Sequence, residues 1–189
     1  MMTKTLVGFG ASSMEGVGDS EGGFFARAER RLAKAHPGWR WINRGIGGNT
    51  TRDMLRRLST VTVHAPYDLI VMLGTNDLPR ERDGRPADRT RPDEYERNLD
   101  AIFGRIKGRR SLFITSFPVS PPKTGIDPAD VEQYMAIAKD AAARHNFAIW
   151  NLHAELANRC EELWAPDGLH FNDAGHRLIA EGLAERLVR

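Results

Sequence analysis

The chain has 189 residues, 41% of them apolar, enough for one globular domain with a sizeable core and incompatible with wholesale disorder. Its 27 basic and 25 acidic residues leave a net charge of +2, which makes no electrostatic case for a nucleic-acid partner or a membrane surface. The single cysteine, Cys160, excludes an intramolecular disulfide and a cysteine-based metal site, and reads as a small packing residue. No run of 18 apolar residues occurs, and the first apolar segment is too short for a secretory signal. The expectation is a soluble, cytoplasmic protein without membrane insertion.

The first predicted strand is Thr5–Gly10, which leads into the glycine-rich turn GFGASSMEGVG at residues 8–18. Phe24, Phe25, Ala28, Leu32 and Ala35 then mark one face of a helix that stops at Pro37 and Gly38. Trp39–Asn43 and Asp68–Leu73 are the second and third strands. The run from Leu69 to Leu73 is apolar on both faces, as a buried parallel strand requires. Residues 78–91, LPRERDGRPADRTR, are dense in charge and read as a solvated insertion, with a substrate-facing or subunit-facing rim as the alternative. Tyr95, Leu99, Ile102, Phe103 and Ile106 form a second helix, entered through Pro92.

Ser111–Phe117 is the fourth strand. The proline-rich segment 118–128 is expected to continue no strand and to start no helix before its end, and either flanks a site or merely connects. Asp127 and Pro128 suit the N-cap and first position of a helix carrying Val131, Met135, Ala138 and Ala142. Phe147–Asn151 is the fifth strand. Leu178, Ile179, Leu183, Leu187 and Val188 belong to a final helix, on which His176 reads as exposed; His36, His64, His145 and His153 show no partner pattern. Strands alternating with helices call for an α/β protein with a mostly parallel sheet, the first strand near its centre, and ligands beyond the carboxyl ends of the strands.

The chemistry-bearing residues fall at those ends. The glycine-rich turn alone leaves two readings open: Gly8 and Gly10 suit a phosphate, whereas Ser12 and Ser13 suit a nucleophile. Later loops carry Gly48-Asn49-Thr50, Gly74-Thr75-Asn76-Asp77 and, before the last helix, Asp167-Gly168-Leu169-His170. Ester cleavage asks for such parts: a hydroxyl, an imidazole to take its proton, a carboxylate to orient the imidazole, and N–H donors for an oxyanion. Taken singly, the serines, Asn76 and Asp167 are ordinary turn or cap residues, His170 an ordinary buried histidine, and Asp77 a brace for its loop.

Taken together and in order, the four stretches resemble the sequence blocks of the SGNH/GDSL hydrolases. The first block of that superfamily reads GDSxxxG, against residues 10–16 here. The second typically ends in glycine, a polar residue and threonine; the third is GxND and the last DxxH. The resemblance spans residues 10 to 170. It implies a flavodoxin-like three-layer αβα sandwich with a five-stranded parallel sheet, as a single domain over residues 1–189. It further implies Ser12 as nucleophile, His170 as general base and then acid, and Asp167 as the residue orienting His170. The oxyanion donors would be the Ser12 N–H, the Gly48 N–H and the Asn76 side-chain amide. No cofactor and no metal is called for. One position departs: the first-block aspartate of the family is Ala11 here, which leaves the support of that loop in question.

The implied activity is hydrolysis of a small-molecule carboxylic ester, short-chain or acetyl, through an acyl-serine intermediate. The arginine-rich loop after Asn76 favours a polar or small ester over a bulk lipid. Thioesterase or lysophospholipase-type action on the same site, and a non-catalytic ester- or carbohydrate-binding member, are the alternatives. Remoter is a dinucleotide-binding protein using Gly8, Gly10 and Arg44, in which Ser13 would stand where the fingerprint needs its third glycine. Oligomeric state, a homo-oligomer included, is left open.

Overall fold

The computed structural model describes residues 4–79, 81, 82, 85, 86, 90–116 and 118–189, without the side chains of residues 81, 82, 85, 86 and 160. The packing expected of Cys160, residues 80, 83, 84 and 87–89 of the charged stretch 78–91, and the Phe117 end of the fourth predicted strand therefore lie outside the described residues. The first half of the chain forms β1 (Lys4–Gly10), α1 (Ser12–Glu15), α2 (Gly23–Ala33), β2 (Trp39–Gly45), α3 (Thr51–Arg56), α4 (Ser59–Thr62) and β3 (Asp68–Met72). A short antiparallel ribbon, β4 (Glu81–Arg82) with β5 (Arg85–Pro86), follows. The second half forms α5 (Pro92–Arg105), β6 (Ser111–Ile114), α6 (Pro121–Thr124), α7 (Pro128–Arg144), β7 (Ala148–Trp150), α8 (Leu152–Leu156), α9 (Cys160–Leu163) and α10 (Asp173–Val188).

The main sheet has five parallel strands in the order β2-β1-β3-β6-β7, so β1 lies one strand in from an edge and β3 at the centre. Side chains alternate across a strand. Leu6, Ile70 and Met72 face a layer in which Phe24, Phe25, Ala28 and Leu32 of α2 meet Ile179, Leu183 and Leu187 of α10. Val7, Phe9, Leu69 and Val71 face the other layer, built from Met54 of α3, Tyr95, Leu99, Ile102 and Phe103 of α5, and Tyr134, Met135 and Ala138 of α7. These are the three layers expected. The five predicted strands are the five of the main sheet, though the fourth ends at Ile114 and the fifth covers only Ala148–Trp150, while the β4–β5 ribbon was not expected.

Two expectations fail. The proline-rich segment does hold a helical turn, Pro121–Thr124: prolines at the first positions of a helix lack N–H groups that would be unpaired there anyway, and Gly125, at φ +66°, ends the turn. His176 is not exposed but fully buried, between the start of α2 and the loop before it. Its Nδ1 accepts the Phe24 N–H (3.0 Å) and its Nε2 donates to the Val17 carbonyl (3.1 Å). A backbone amide can only donate, so the proton sits on Nε2. The ring thereby satisfies one of the unpaired donors at the start of α2, and Asp19 satisfies another through the Gly23 N–H (2.7 Å). Ser20 donates through N–H and hydroxyl to Asp173 (both 2.8 Å), so the loop after α1 is fixed to the start of α10.

Burial lowers the pKa of His176 below the ordinary histidine value, with Arg27 acting the same way while the Val17 carbonyl, Asp19 and Asp173 oppose it. The unfolded chain thus takes up a proton at a higher pH than the folded one. The stabilisation is complete above the unfolded pKa of about 6.5 and is lost as pH falls toward the lower folded value. Thermal melts from pH 8 to pH 5 should show Tm falling across that window in the wild type. In His176→Gln, Tm should be lower at pH 8 and the fall shallower.

Candidate active site

All five parallel strands end at one edge of the sheet, and the expected residues collect there. β1 ends at Gly10, where the chain must pass close to β3: a Cβ at Gly10 would run into the Met72 carbonyl and Met14. A Cβ at Gly8 would likewise meet Met14 Sδ at 2.6 Å and Phe25 at 3.0 Å. The two glycines therefore allow tight packing beneath the turn and present no open cradle for a phosphate. Arg44, the residue on which the dinucleotide reading leaned, directs its guanidinium at the Thr60 carbonyl (3.2 Å) and His64 (3.0 Å).

Ser12 begins the turn α1. Its Oγ lies 3.0 Å from Nε2 of His170, and Nδ1 of His170 lies 2.6 Å from Oδ2 of Asp167. The carboxylate can only accept from Nδ1, which leaves Nε2 free to accept the Ser12 hydroxyl proton. Asp167 is fixed by its own loop: its Oδ1 accepts the N–H groups of Leu169 (2.9 Å) and His170 (3.0 Å). Burial would raise the Asp167 carboxyl, but these backbone donors and the His170 ring outweigh it, and the net pKa lies below the ordinary aspartate value. Gly168, at φ +67°, lets the loop turn, and its carbonyl accepts the Ser120 N–H (2.8 Å), so the proline-rich segment does flank the site.

Asn76 follows β3, and its amide donates one N–H to the Asn49 carbonyl at 3.0 Å; the second N–H of the same amide is a further donor. Gly48, at φ +77°, sits between that Asn49 and Gly47, at whose Cα a Cβ would lie 3.8 Å from the Cβ of Ser12. Asp77 is fully buried and braces the loop as expected, accepting the Thr51 N–H (3.1 and 3.0 Å) and hydroxyl (2.7 Å). Burial pushes its carboxyl up, and the Thr51 donors pull the other way without cancelling it. Ser13 has no place in the Ser12–His170–Asp167 chain. Among the described residues no group of three or more histidine, cysteine, aspartate or glutamate side chains could hold a metal, and no helix is long and apolar enough to cross a membrane.

Beside Ser12 lies a cavity of only about 20 Å³, lined by Ala11, Ser12, Met72, Gly74, Asn76, Ser116 and Leu169, among others. The residues that sequence reasoning missed hold the second loop. Asn43 donates to the Met14 carbonyl (2.7 Å), Glu15 accepts the Gly47 N–H (2.6 Å), and Arg57 reaches across from the end of α3. In the charged run RDMLRRL an arginine reads as a solvated helix face, so nothing in the sequence separates Arg57 from its neighbours.

The chain belongs to the GDSL-like lipase/acylhydrolase family, whose sequence profile matches residues 9–178. It is similar to an acetylxylan esterase from Geobacillus stearothermophilus, 26% identical over 177 residues that cover 87% of this chain and 80% of that one. A lipase/acylhydrolase from Enterococcus faecalis shares the fold at a TM-score of 0.83 and 22% identity, over 97% of this chain and 95% of the other. A solved variant of an acetyl xylan esterase from Geobacillus stearothermophilus does so at a TM-score of 0.80 and 24% identity, over 97% and 94%. The protein is accordingly a carboxylic ester hydrolase.

Asp77→Ala removes the acceptor of two buried Thr51 donors, and leaving such groups unpaired costs about 1–3 kcal/mol. Urea titration should show a loss of that size for Asp77→Ala. Asp77→Asn keeps an acceptor oxygen and should lose less.

Proposed function

We propose that the protein is a serine esterase for acetyl and similarly short acyl esters of small polar alcohols. Ser12 is the nucleophile, His170 the base and Asp167 its orienting partner. The observation that carries the acyl preference is the cavity beside Ser12: at about 20 Å³ it is far smaller than the roughly 300–1,000 Å³ of ordinary ligand pockets, which favours a short acyl group over a long chain. The leaving-group side is more open, since the side chain of Asp167 is 49% exposed. The similarity to an acetylxylan esterase supports an acetylated saccharide as the substrate class.

The steps follow from the hydrogen bonds. His170 Nε2 takes the proton of the Ser12 hydroxyl as Oγ attacks the ester carbonyl carbon. The carbonyl oxygen becomes an oxyanion, received by the Ser12 and Gly48 N–H groups and the second N–H of the Asn76 amide. When the C–O bond breaks, His170 returns the proton to the departing alcohol. Water, deprotonated by the same imidazole, then attacks the acyl-Ser12 carbonyl, releasing the short carboxylic acid and restoring the hydroxyl. Asp167 stays ionised throughout, holding the proton on Nδ1.

The test is a nitrophenyl ester series from acetyl to octanoyl, with Ser12→Ala as control. Acetyl should have the highest kcat/KM, falling about fivefold or more by butyryl, because overpacking a filled cavity costs about 1–3 kcal/mol; Ser12→Ala should be inactive on all. Equal or better turnover of octanoyl would overturn the acyl assignment, and an active Ser12→Ala would overturn the nucleophile. Asn76→Ala should lower kcat about 100- to 1,000-fold with little change in KM, the usual cost of one oxyanion donor. A loss below tenfold would remove Asn76 from that role.

A further inference from the structure

At position 11, where the family's first-block pattern GDSxxxG has an aspartate, this chain has a methyl group. Ala11 precedes the Ser12 turn with no side-chain hydrogen bond of its own. Something else must hold the nucleophile turn and residues 46–49 in register, because the β1–β2 ladder ends with the Ile46 N–H on the Gly10 carbonyl (3.2 Å) and goes no further.

The group best placed to do so is Arg57. Its backbone is fixed at the end of α3, where its N–H bonds the Met54 carbonyl (3.1 Å) and its carbonyl accepts from Thr60 N–H (3.0 Å) and hydroxyl (2.7 Å). Its guanidinium lies over the Phe9 ring, 4.5 Å from the centroid. Each of its three nitrogens then takes an oxygen from a different part of the site edge. Nη2 bonds the Gly10 carbonyl (2.8 Å), one residue before Ala11 and two before Ser12. Nη1 bonds the Arg44 carbonyl at the end of β2 (2.8 Å). Nε bonds the side-chain oxygen of Asn49 (2.6 Å). Asn49 is the residue after Gly48, and its own carbonyl is the oxygen that receives the Asn76 amide at 3.0 Å. One planar cation thus links β1, β2, the second loop and, through Asn49, the third loop.

From this geometry we propose that Arg57 is a positioning residue for ester hydrolysis: through Asn49 and the Gly10 carbonyl it sets the oxyanion donors relative to Ser12. The proposal rests on the oxyanion assignment made above. A lysine cannot replace it, since an ammonium is a point charge and cannot send three fixed donors along three directions. Glu15, holding the Gly47 N–H at 2.6 Å, anchors the other side of the same loop and leaves Arg57 the Asn49 side.

The experiment uses Arg57→Lys, Arg57→Ala, Asn49→Ala, Asn76→Ala and the double variant Arg57→Ala/Asn76→Ala, each assayed on acetyl ester and titrated with an alkylboronic acid that forms a tetrahedral adduct on Ser12. A misplaced catalytic group costs up to about 100-fold, so Arg57→Lys, Arg57→Ala and Asn49→Ala should each lose about tenfold or more in kcat. KM should stay within about threefold, and boronate affinity should fall in parallel with kcat. Millimolar guanidinium should restore part of the activity of Arg57→Ala. Groups acting as a unit are non-additive, so the double variant should be no worse than Asn76→Ala within about threefold.

A kcat loss below tenfold in folded Arg57→Lys and Asn49→Ala overturns the proposal, as does a double variant whose loss is the product of the two singles. If Arg57→Ala does not fold, the same coupling is read from an Asn49→Ala/Asn76→Ala cycle. If Asn76→Ala itself loses less than tenfold, the oxyanion assignment fails. If Asn76→Ala is crippled while Arg57→Lys and Asn49→Ala are not, only the role of Arg57 fails.

Discussion

The 3.0 Å contact between Oγ of Ser12 and Nε2 of His170 joins residues 158 positions apart, and much of the structure serves to keep it. A hydrogen bond of this kind weakens steeply with distance and angle, so the two loops that supply it must be fixed to each other by more than the bond itself. They are. Immediately after α1 the chain is tied to the last helix: Ser20 to Asp173, and Phe24 and Val17 to the two nitrogens of His176. Gly18, at φ +94°, runs so close to the Phe171 carbonyl that any side chain there would overlap it. The first and last loops of the site are one rigid unit because α2 and α10 share the same face of the sheet.

The other half of the edge is organised differently. The second and third loops lean on the opposite layer, through α3. Thr50 caps that helix with a reciprocal Asp53 bond, Asp77 grips Thr51 at its start, and Arg57 returns from its end to three carbonyl or amide oxygens. A six-residue helix has little stability of its own. Its capping interactions and its buried Met54 make it a bracket between loops, and the site is assembled where the two layers meet at the carboxyl ends of β1, β2 and β3.

What was legible in the sequence follows from this division. The continuous apolar runs Leu69–Leu73 and Leu112–Ile114 report burial on two faces, as a parallel sheet requires, so the strands and layers could be read. The Asp167-Gly168-Leu169-His170 loop could also be read, because its geometry is local: the carboxylate is oriented by the two amides that follow it. What failed was non-local. His176 looks like a polar residue on an amphipathic helix, and only the free N–H at the start of α2, 152 positions away, gives it a reason to be buried. Arg57 is one arginine among several in its stretch of chain, and its three acceptors lie on β1, on β2 and in the loop after β2. The α6 turn escapes the sequence for another reason: prolines read as breakers, yet the first turn of a helix tolerates them.

The replacement of the family aspartate by Ala11 belongs to the same logic. A carboxylate at position 11 would be a local device, visible in the motif itself. Here the corresponding loop is held by groups distant in sequence: Gly10 offers its carbonyl to both the Ile46 N–H (3.2 Å) and Arg57 (2.8 Å), and Asn43 and Glu15 close the other side of the turn. Ala11 is then free to serve the surface instead, packing against the core beneath and lining the small cavity beside Ser12. A charged side chain in that wall would demand its own partners or water, and either would compete for the little space beside Ser12. The departure from the motif and the small cavity beside Ser12 therefore meet in one wall, while the hydrogen bonds that hold the loop come from Arg57, Asn43 and Glu15.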